Sequence, residues 1–515
     1  MKRLSWAIFL ATVVSAYAQT QERKIINDAA EALGGKDRIL LVKAIKVEGY
    51  GQLAYQNGGG NPTGSPDAPQ KWINTNGVER WFDLEHSRMR LKQRLVQDFV
   101  FAYARNMTGI SVNQVLDGDI AYNVAPDGRA VRATEAAARE RRIAMLNNPV
   151  VLIRTALEPA AKLAHPRTSG NLQIVDLTTP KGDQLTLAVN SATHLPAWVS
   201  WVGPNTNLGD ITFRTSWVGY TPEKGVMLPI GYNTTSDWRN VVQDKLYVDK
   251  NSVDVPVDDL AAPDAVKSVS PPNPQMNVQV IPVAKGIWFL KGTIGNSTLF
   301  EFDDHLTLFE AYANEAMAKA IIDKARTVVP SKPLTEVIIS HHHFDHTGGL
   351  RTAVAEGLTI ISQRGNEAIF REMTSRPAKL FPDELGKNPK PLKFKPVDDK
   401  LVLKDNSMEV VIYRVIANNH MPLGVMAYVP RDRLVAEGDL VDEGWDIVFW
   451  GNSYPDTVKY WNLQVEKDLP VHGNIHTYPE VIDFLKKQTA NAQKLCDKVE
   501  AAGLSMQGCP VRQTF

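Results

Sequence analysis

The chain has 515 residues, too many for one ordinary domain, so two or three domains are expected. Charged residues make up 22% and hydrophobic residues 43%, a globular rather than a disordered balance. Acidic and basic residues cancel at 57 each, so no overall field draws the chain to nucleic acid or to an anionic membrane.

The first stretch reads as a secretory signal peptide over residues 1–18. Lys2 and Arg3 form a basic start, and Leu4 to Val14 form an apolar core too short to span a bilayer. Ala16 and Ala18 then give a small-x-small cleavage site before Gln19. No cysteine stands near that point to anchor a lipid, and no later apolar run is long enough for a transmembrane anchor. A periplasmic or secreted protein is expected.

Residues 19–254 predict a mainly antiparallel β domain with N-terminal helices. Ile25, Ile26, Ala29 and Leu33 recur at helical spacing, and Gly34-Gly35 supplies a stop. From "AIKVEGYGQLAY" to about Val257, alternating apolar residues and turn residues read as strands joined by tight turns. Residues 255–277, rich in Pro, Ala, Ser and Asp, read as a linker. Strands and helices alternate over 278–490, with an amphipathic helix that aligns Met317, Ile321 and Ala325. A tail, 491–515, follows. It holds both cysteines, Cys496 and Cys509, which form either a disulfide in an oxidising compartment or two unpaired thiols.

The chemistry is concentrated in "VIISHHHFDHTGGL", residues 337–350. The chain has 11 histidines, and four of them fall between His341 and His346. The buried strand "LTEVIIS" runs straight into His341, and strand ends are where α/β proteins place ligand sites. The useful spacing is His341-x-His343-x-Asp345-His346. Imidazole and carboxylate at this spacing suit zinc, iron or manganese, and one such segment offers only two ligands per ion. Further candidates follow in order: His420 between two strands, Asp439 just after a strand, and His472 beside Gly473.

This ordered set resembles the metallo-β-lactamase superfamily over about residues 278–490. The resemblance implies an αββα sandwich with two divalent ions, zinc by default, between its sheet edges. His341, His343 and His420 would hold one ion and Asp345, His346 and His472 the other, with Asp439 bridging them. Asp345 would be the catalytic residue, orienting a hydroxide held between the ions. The implied reaction is cleavage of an ester, thioester, lactone or phosphoester in a small-molecule substrate. The pattern is closer to the glyoxalase II and lactonase branches than to the β-lactam hydrolases. Two departures stand out: His472 lies in Val-His-Gly where the family commonly has Gly-His-Gly, and Glu310 stands where an aspartate is frequent. His472 is preferred to His476. His342 is expected beside the ligands or facing solvent, and Trp445, Trp450, Tyr454, Tyr460 and Trp461 line a pocket or fill the core. The N-terminal region is similar to lipoprotein-carrier-like domains, in which a curved sheet wraps helices. The rival reading is therefore a lipid- or small-molecule-binding protein with a structural metal domain. Oligomeric state is not legible.

Overall fold

The computed structural model describes residues 21–55, 70–97, 109–418, 420–506 and 508–512; the expected signal peptide lies outside the described residues. Among them is an antiparallel sheet of thirteen strands. From its edge strand Ala130–Arg132 the order runs back along the chain to Ala44–Ala54. That strand pairs with Val242–Val253, and the order then runs back again to the other edge, Lys162–Ser169. Each half is thus a meander of neighbours in sequence.

Two helices, Glu135–Leu146 and Pro149–Leu157, carry the chain between the edge strands. The alternation read from the sequence passes over them, but their end signals are present. Thr134 accepts from the Ala137 amide at 3.1 Å, and Asn148 caps the second helix with Pro149 at its first position. Their apolar faces, with Ile143, Val150, Leu152 and Ile153, share one core with Ile26 of the helix over residues 21–32 and with Leu33 just past its end. Leu187, Val199 and Leu228 of the sheet complete that core, each such side chain contributing roughly 1.5–3 kcal/mol on burial. The first helix stops where expected and for a steric reason. Gly34 has φ +126°, and a Cβ there would lie 2.1 Å from the Gly225 carbonyl oxygen.

The C-terminal region is a sandwich of two sheets. The first has seven strands in chain order from Val278–Ala284 to Lys393–Val397, antiparallel up to Leu306–Phe309 and parallel beyond. The second has six, in chain order from Lys400–Lys404 to His476–Thr477. Phe289, Phe300, Phe309 and Ile338 of the first sheet meet Ile412, Val425, Ala427 and Leu469 of the second in the central core. Helices Glu315–Val328 and Glu367–Ser375 cover the outer face of one sheet, and Ser453–Tyr460 and Tyr478–Ala501 that of the other. The αββα layering expected from the resemblance is the one observed. No helix among the described residues is long and apolar enough to cross a membrane.

The segments read as a linker and a tail are more tightly built than their composition suggests. Leu260, Ala262 and Val266 are buried against Val115 and Tyr122 of the large sheet, and the Tyr122 hydroxyl donates to the Leu260 carbonyl at 3.2 Å. Helix Tyr478–Ala501 runs through the boundary placed at residue 490. Cys496, on that helix, is bonded to Cys509, 13 residues on, and closing such a loop is worth about 3 kcal/mol in the chain-entropy model. The large sheet also does not stand apart from the sandwich. Leu208, Trp238 and Val241 of its turns, with Ile211 of strand Gly209–Glu223, join the core formed by Met317, Ile321, Leu350 and Phe370.

Candidate metal centre

Four strand ends converge on one point. The His341–His346 segment follows strand Leu334–Ile338 of the first sheet. His420 lies between Glu409–Arg414 and Val425–Val429 of the second sheet, Asp439 two residues past Leu434–Glu437, and His472 two residues past Lys467–Pro470. Asp439 and His472 are therefore each held two residues from a ladder of backbone hydrogen bonds, and His341 three residues from one. Gly438 permits the closest approach: a Cβ there would lie 2.4 Å from Ser340 Oγ.

The carboxylate of Asp439 sits at the centre and divides the histidines. Its Oδ2 is 2.8 Å from His420 Nε2, 3.4 Å from His341 Nε2 and 3.7 Å from His343 Nδ1. Its Oδ1 is 3.1 Å from His346 Nε2 and 3.0 Å from His472 Nε2. Asp345 Oδ2 lies 3.8 Å from His346 Nε2, on the second side. The structure thus brings together all seven residues singled out in the sequence, with His341, His343 and His420 facing one oxygen of Asp439 and His346 and His472 the other. The donor set fits a pair of divalent ions. Buried imidazole nitrogens aim at one carboxylate, and His341 Nε2 and His343 Nδ1 are only 2.7 Å apart, an arrangement natural for nitrogens that share an ion. His341, His343 and Asp439 offer ligand atoms within 4.8 Å of one another, as do Asp345, His346 and His472.

The far sides of the His341 and His346 rings are also held. Ser340 Oγ is 2.8 Å from His341 Nδ1, and Glu310 Oε1 is 3.3 Å from His346 Nδ1 while accepting from the Ser340 amide at 2.8 Å. Glu310, fully buried at φ +66°, thus makes the supporting contact despite being one methylene longer than aspartate. Asn418 Oδ1 accepts from the amides of His420 and Met421 at 2.8 and 2.9 Å and fixes that loop. Trp450 stacks on the His420 ring with centroids 4.5 Å apart, and its indole N–H donates to the Asp439 carbonyl at 3.3 Å. The Tyr312 hydroxyl donates to Asp345 Oδ2 at 3.2 Å. Ser340 and Tyr312 were missed in the sequence; adjacency to His341 was the one available signal for Ser340.

His342 is buried, not solvent-facing, and burial pushes its imidazole down to about 3. His476 pairs with Glu443 outside the cluster, whereas His472 faces Asp439. His86, His165 and His305 pair with nearby aspartates, away from the site. Of the aromatics, Trp445 and Trp450 form a platform behind His420 and Tyr454 is core, whereas Tyr460 is exposed and Trp461 packs on Tyr413. A cavity of about 530 Å³ opens over Asp345 and His472, walled by Tyr312, Phe344, Ile294 and Asn207.

Burial lowers His341 to about 4 and also lowers His343 and His420, so these rings are neutral, the form that binds metal. Burial alone would raise Asp439, but His346 beside it and the hydrogen bonds of the cluster hold its carboxyl well below the usual range. Behind the centre lies a second acidic pair. Burial and the neighbouring Asp468 raise Glu437 well above its ordinary value, and burial pushes Asp468 up to about 7 although the Tyr454 hydroxyl, 2.8 Å away, favours its charged form. The folded state therefore holds the Asp468 proton more tightly than the unfolded state does. Stability from this group is fullest at acid pH and falls as pH rises from 3.8 to about 7. Asp468→Asn keeps an acceptor for Tyr454 and is expected to flatten that fall. Urea midpoints of metal-free protein at pH 5 and pH 8 should lie closer together in the variant, and an unchanged gap contradicts the assignment.

Residues 290–451 match the sequence profile of the Metallo-beta-lactamase superfamily. That stretch is a metallo-beta-lactamase superfamily domain. A 75-residue segment is 36% identical to a linear primary-alkylsulfatase of Pseudomonas sp; it covers 14% of this chain and 11% of that relative's length. Among solved structures, a metallo-beta-lactamase from Pontibacter korlensis has 12% identity and a TM-score of 0.32, covering 41% of this chain and all of that one. The mono-zinc form of the metallo-beta-lactamase FIM-1 from Pseudomonas aeruginosa has 15% identity and a TM-score of 0.33, covering 43% and 98%. The flavodiiron core of Flv1 from Synechocystis sp. PCC6803 has 15% identity and a TM-score of 0.33, covering 45% and 71%.

Proposed function

We propose that the protein is an exported dinuclear metal-dependent hydrolase of small-molecule esters. The observation that carries this reading is the division of the histidines by Asp439: three face one carboxylate oxygen and two face the other. His341, His343 and His420 would hold one ion, Asp345, His346 and His472 the second, and Asp439 would join both. Zinc suits the nitrogen-rich set best. Bound there, the ions supply a nucleophile at neutral pH and neutralise charge on the reacting oxygen.

The chain's own groups then do the rest. Tyr312 fixes one oxygen of Asp345 by its hydroxyl, and the other, Oδ1, is buried without a hydrogen-bond partner. As the carboxylate beside the cavity, Asp345 is the group to orient the attacking water and to receive its proton. Phe344, Ile294 and the Tyr312 ring give the cavity an apolar wall, suited to the carbon part of an ester. Buried rings around the ligands exclude water from the rear of the site.

Carboxylic esters, thioesters, lactones, phosphoesters and, from the alkylsulfatase relative, sulfate esters all fall within this chemistry. Export is supported by the N-terminal pattern and by the disulfide, which persists in oxidising compartments. The test is turnover by zinc-loaded protein of a panel holding each ester type and a penicillin. Hydrolysis of one ester class above the penicillin is expected. Efficient penicillin turnover above all others overturns the substrate reading, and no turnover of any member overturns the hydrolase.

A further inference from the structure

The sequence treats the large sheet and the metal domain as separate units, yet one turn of the sheet reaches into the site. It joins strands Pro196–Asn205 and Gly209–Glu223. Asn207, 2% exposed, places its amide nitrogen 2.8 Å from the Phe344 carbonyl and 2.8 Å from Thr347 Oγ1. Both hydrogens of that amide are thereby used, on the two sides of Asp345 and His346. Thr347 Oγ1 in turn donates to the His343 carbonyl at 2.8 Å. Next to it, Thr206 Oγ1 donates to the Gly348 carbonyl at 3.1 Å and accepts from the Glu315 amide at 3.2 Å.

The turn itself is fixed. Asn205 Oδ1 accepts from the amides of Asn207 and Leu208 at 3.0 and 3.1 Å. The Asp210 carboxylate accepts from the amides of Lys379, Leu380 and Phe381, and a Cβ on Gly209 would lie 2.5 Å from the Pro377 carbonyl oxygen. The rings of Trp238 and Phe344 meet with centroids 5.5 Å apart. A turn locked at both ends that spends both hydrogens of the Asn207 amide on the ligand loop is not a generic packing contact. Thr206 and Asn207 also border the cavity over Asp345 and His472.

We infer that this turn is a working part of the metal centre. Asn207 is a positioning residue that sets the Asp345–His346 loop for the second ion, and Thr206 with Asn207 forms the polar wall against which a substrate's leaving group rests. The part concerning substrate rests on the hydrolase reading; the part concerning metal does not.

Cobalt(II) titration of metal-free, full-length protein, followed by its visible absorption, tests the metal part. Asn207→Asp is nearly isosteric but has no hydrogens to donate, and Asn207→Ala removes the group. In each, the second cobalt is expected to bind about tenfold more weakly or worse, the range seen when a residue supporting a ligand is lost, with the first unchanged. Thr234→Val, which breaks a buried 2.7 Å contact with Thr215 elsewhere in the sheet, controls for plain destabilisation and should leave both cobalt affinities alone. Parental affinity for both ions in a folded Asn207 variant overturns the positioning role, as does an equal loss in Thr234→Val. Thr206→Val, the removal of one half-buried hydroxyl, tests the wall. With p-nitrophenyl butyrate and ethyl butyrate as probes, which share the acyl part and differ in the leaving group, the ratio of their KM values should shift. An unchanged ratio overturns the wall. Failure of the parent protein to hydrolyse either probe counts against the hydrolase reading and against the wall, while the cobalt result stands.

Discussion

Asp439→Asn is expected to lose the second metal ion and at least about 100-fold of the ester hydrolysis. Residues that merely support a ligand cost about 10- to 100-fold when removed, so a shared ligand should cost no less. A carboxylate can bind one ion with each oxygen, whereas the neutral amide offers one good donor atom. In the parent, Oδ1 faces His346 and His472 while Oδ2 faces His420, His341 and His343. The ion beside the three histidines should largely remain, because His341 keeps its position through Ser340 and His420 through Asn418 and Trp450. Metal content and hydrolysis of the purified variant check this. A variant with both ions and full activity would falsify the bridge.

Trp238→Ala is expected to destabilise the full chain by about 3–5 kcal/mol, the usual cost of emptying a large aromatic site. That is a large share of the roughly 5–15 kcal/mol that holds a protein folded. Trp238 is 1% exposed, yet it belongs to the large sheet while packing in the sandwich core with Leu208, Ile211 and Val241. Its indole N–H also donates to Glu372 at 2.7 Å, a carboxylate that Arg239 clasps as well. Sheet and sandwich should therefore melt together. A fragment ending near residue 260 would expose these side chains and should self-associate. Scanning calorimetry decides: one transition for the full chain is expected. Two independent transitions, one of them reproduced by a monomeric fragment, contradict the shared core.

Much of this site is legible in the sequence because its ligands are local to strand ends. His341 to His346 follow one strand closely, and His420, Asp439 and His472 each sit a few residues from a β segment of recognisable composition. Helix Glu315–Val328 is equally legible, since its buried Met317, Ile321 and Ala325 recur at helical spacing. The helix at 149–157 is less legible because an apolar run such as "PVVLI" suits strand and helix alike, and the Asn148 cap with Pro149 distinguishes it. Residues 135–146 carry a plainer signal in their Ala, Glu and Arg residues behind Thr134. Asn207 could not be found from its surroundings in sequence. Its partner Phe344 is 137 residues away, and an asparagine in a polar turn resembles any other turn asparagine. The same holds for Trp238, whose burial is decided by a core assembled from the other region of the chain.

The most direct measurement is the metal content of protein purified without chelator and equilibrated with saturating zinc. Elemental analysis should return close to two ions per chain. One ion, or none, contradicts the dinuclear centre from which the account of Asp439, Asp345 and the cavity is built.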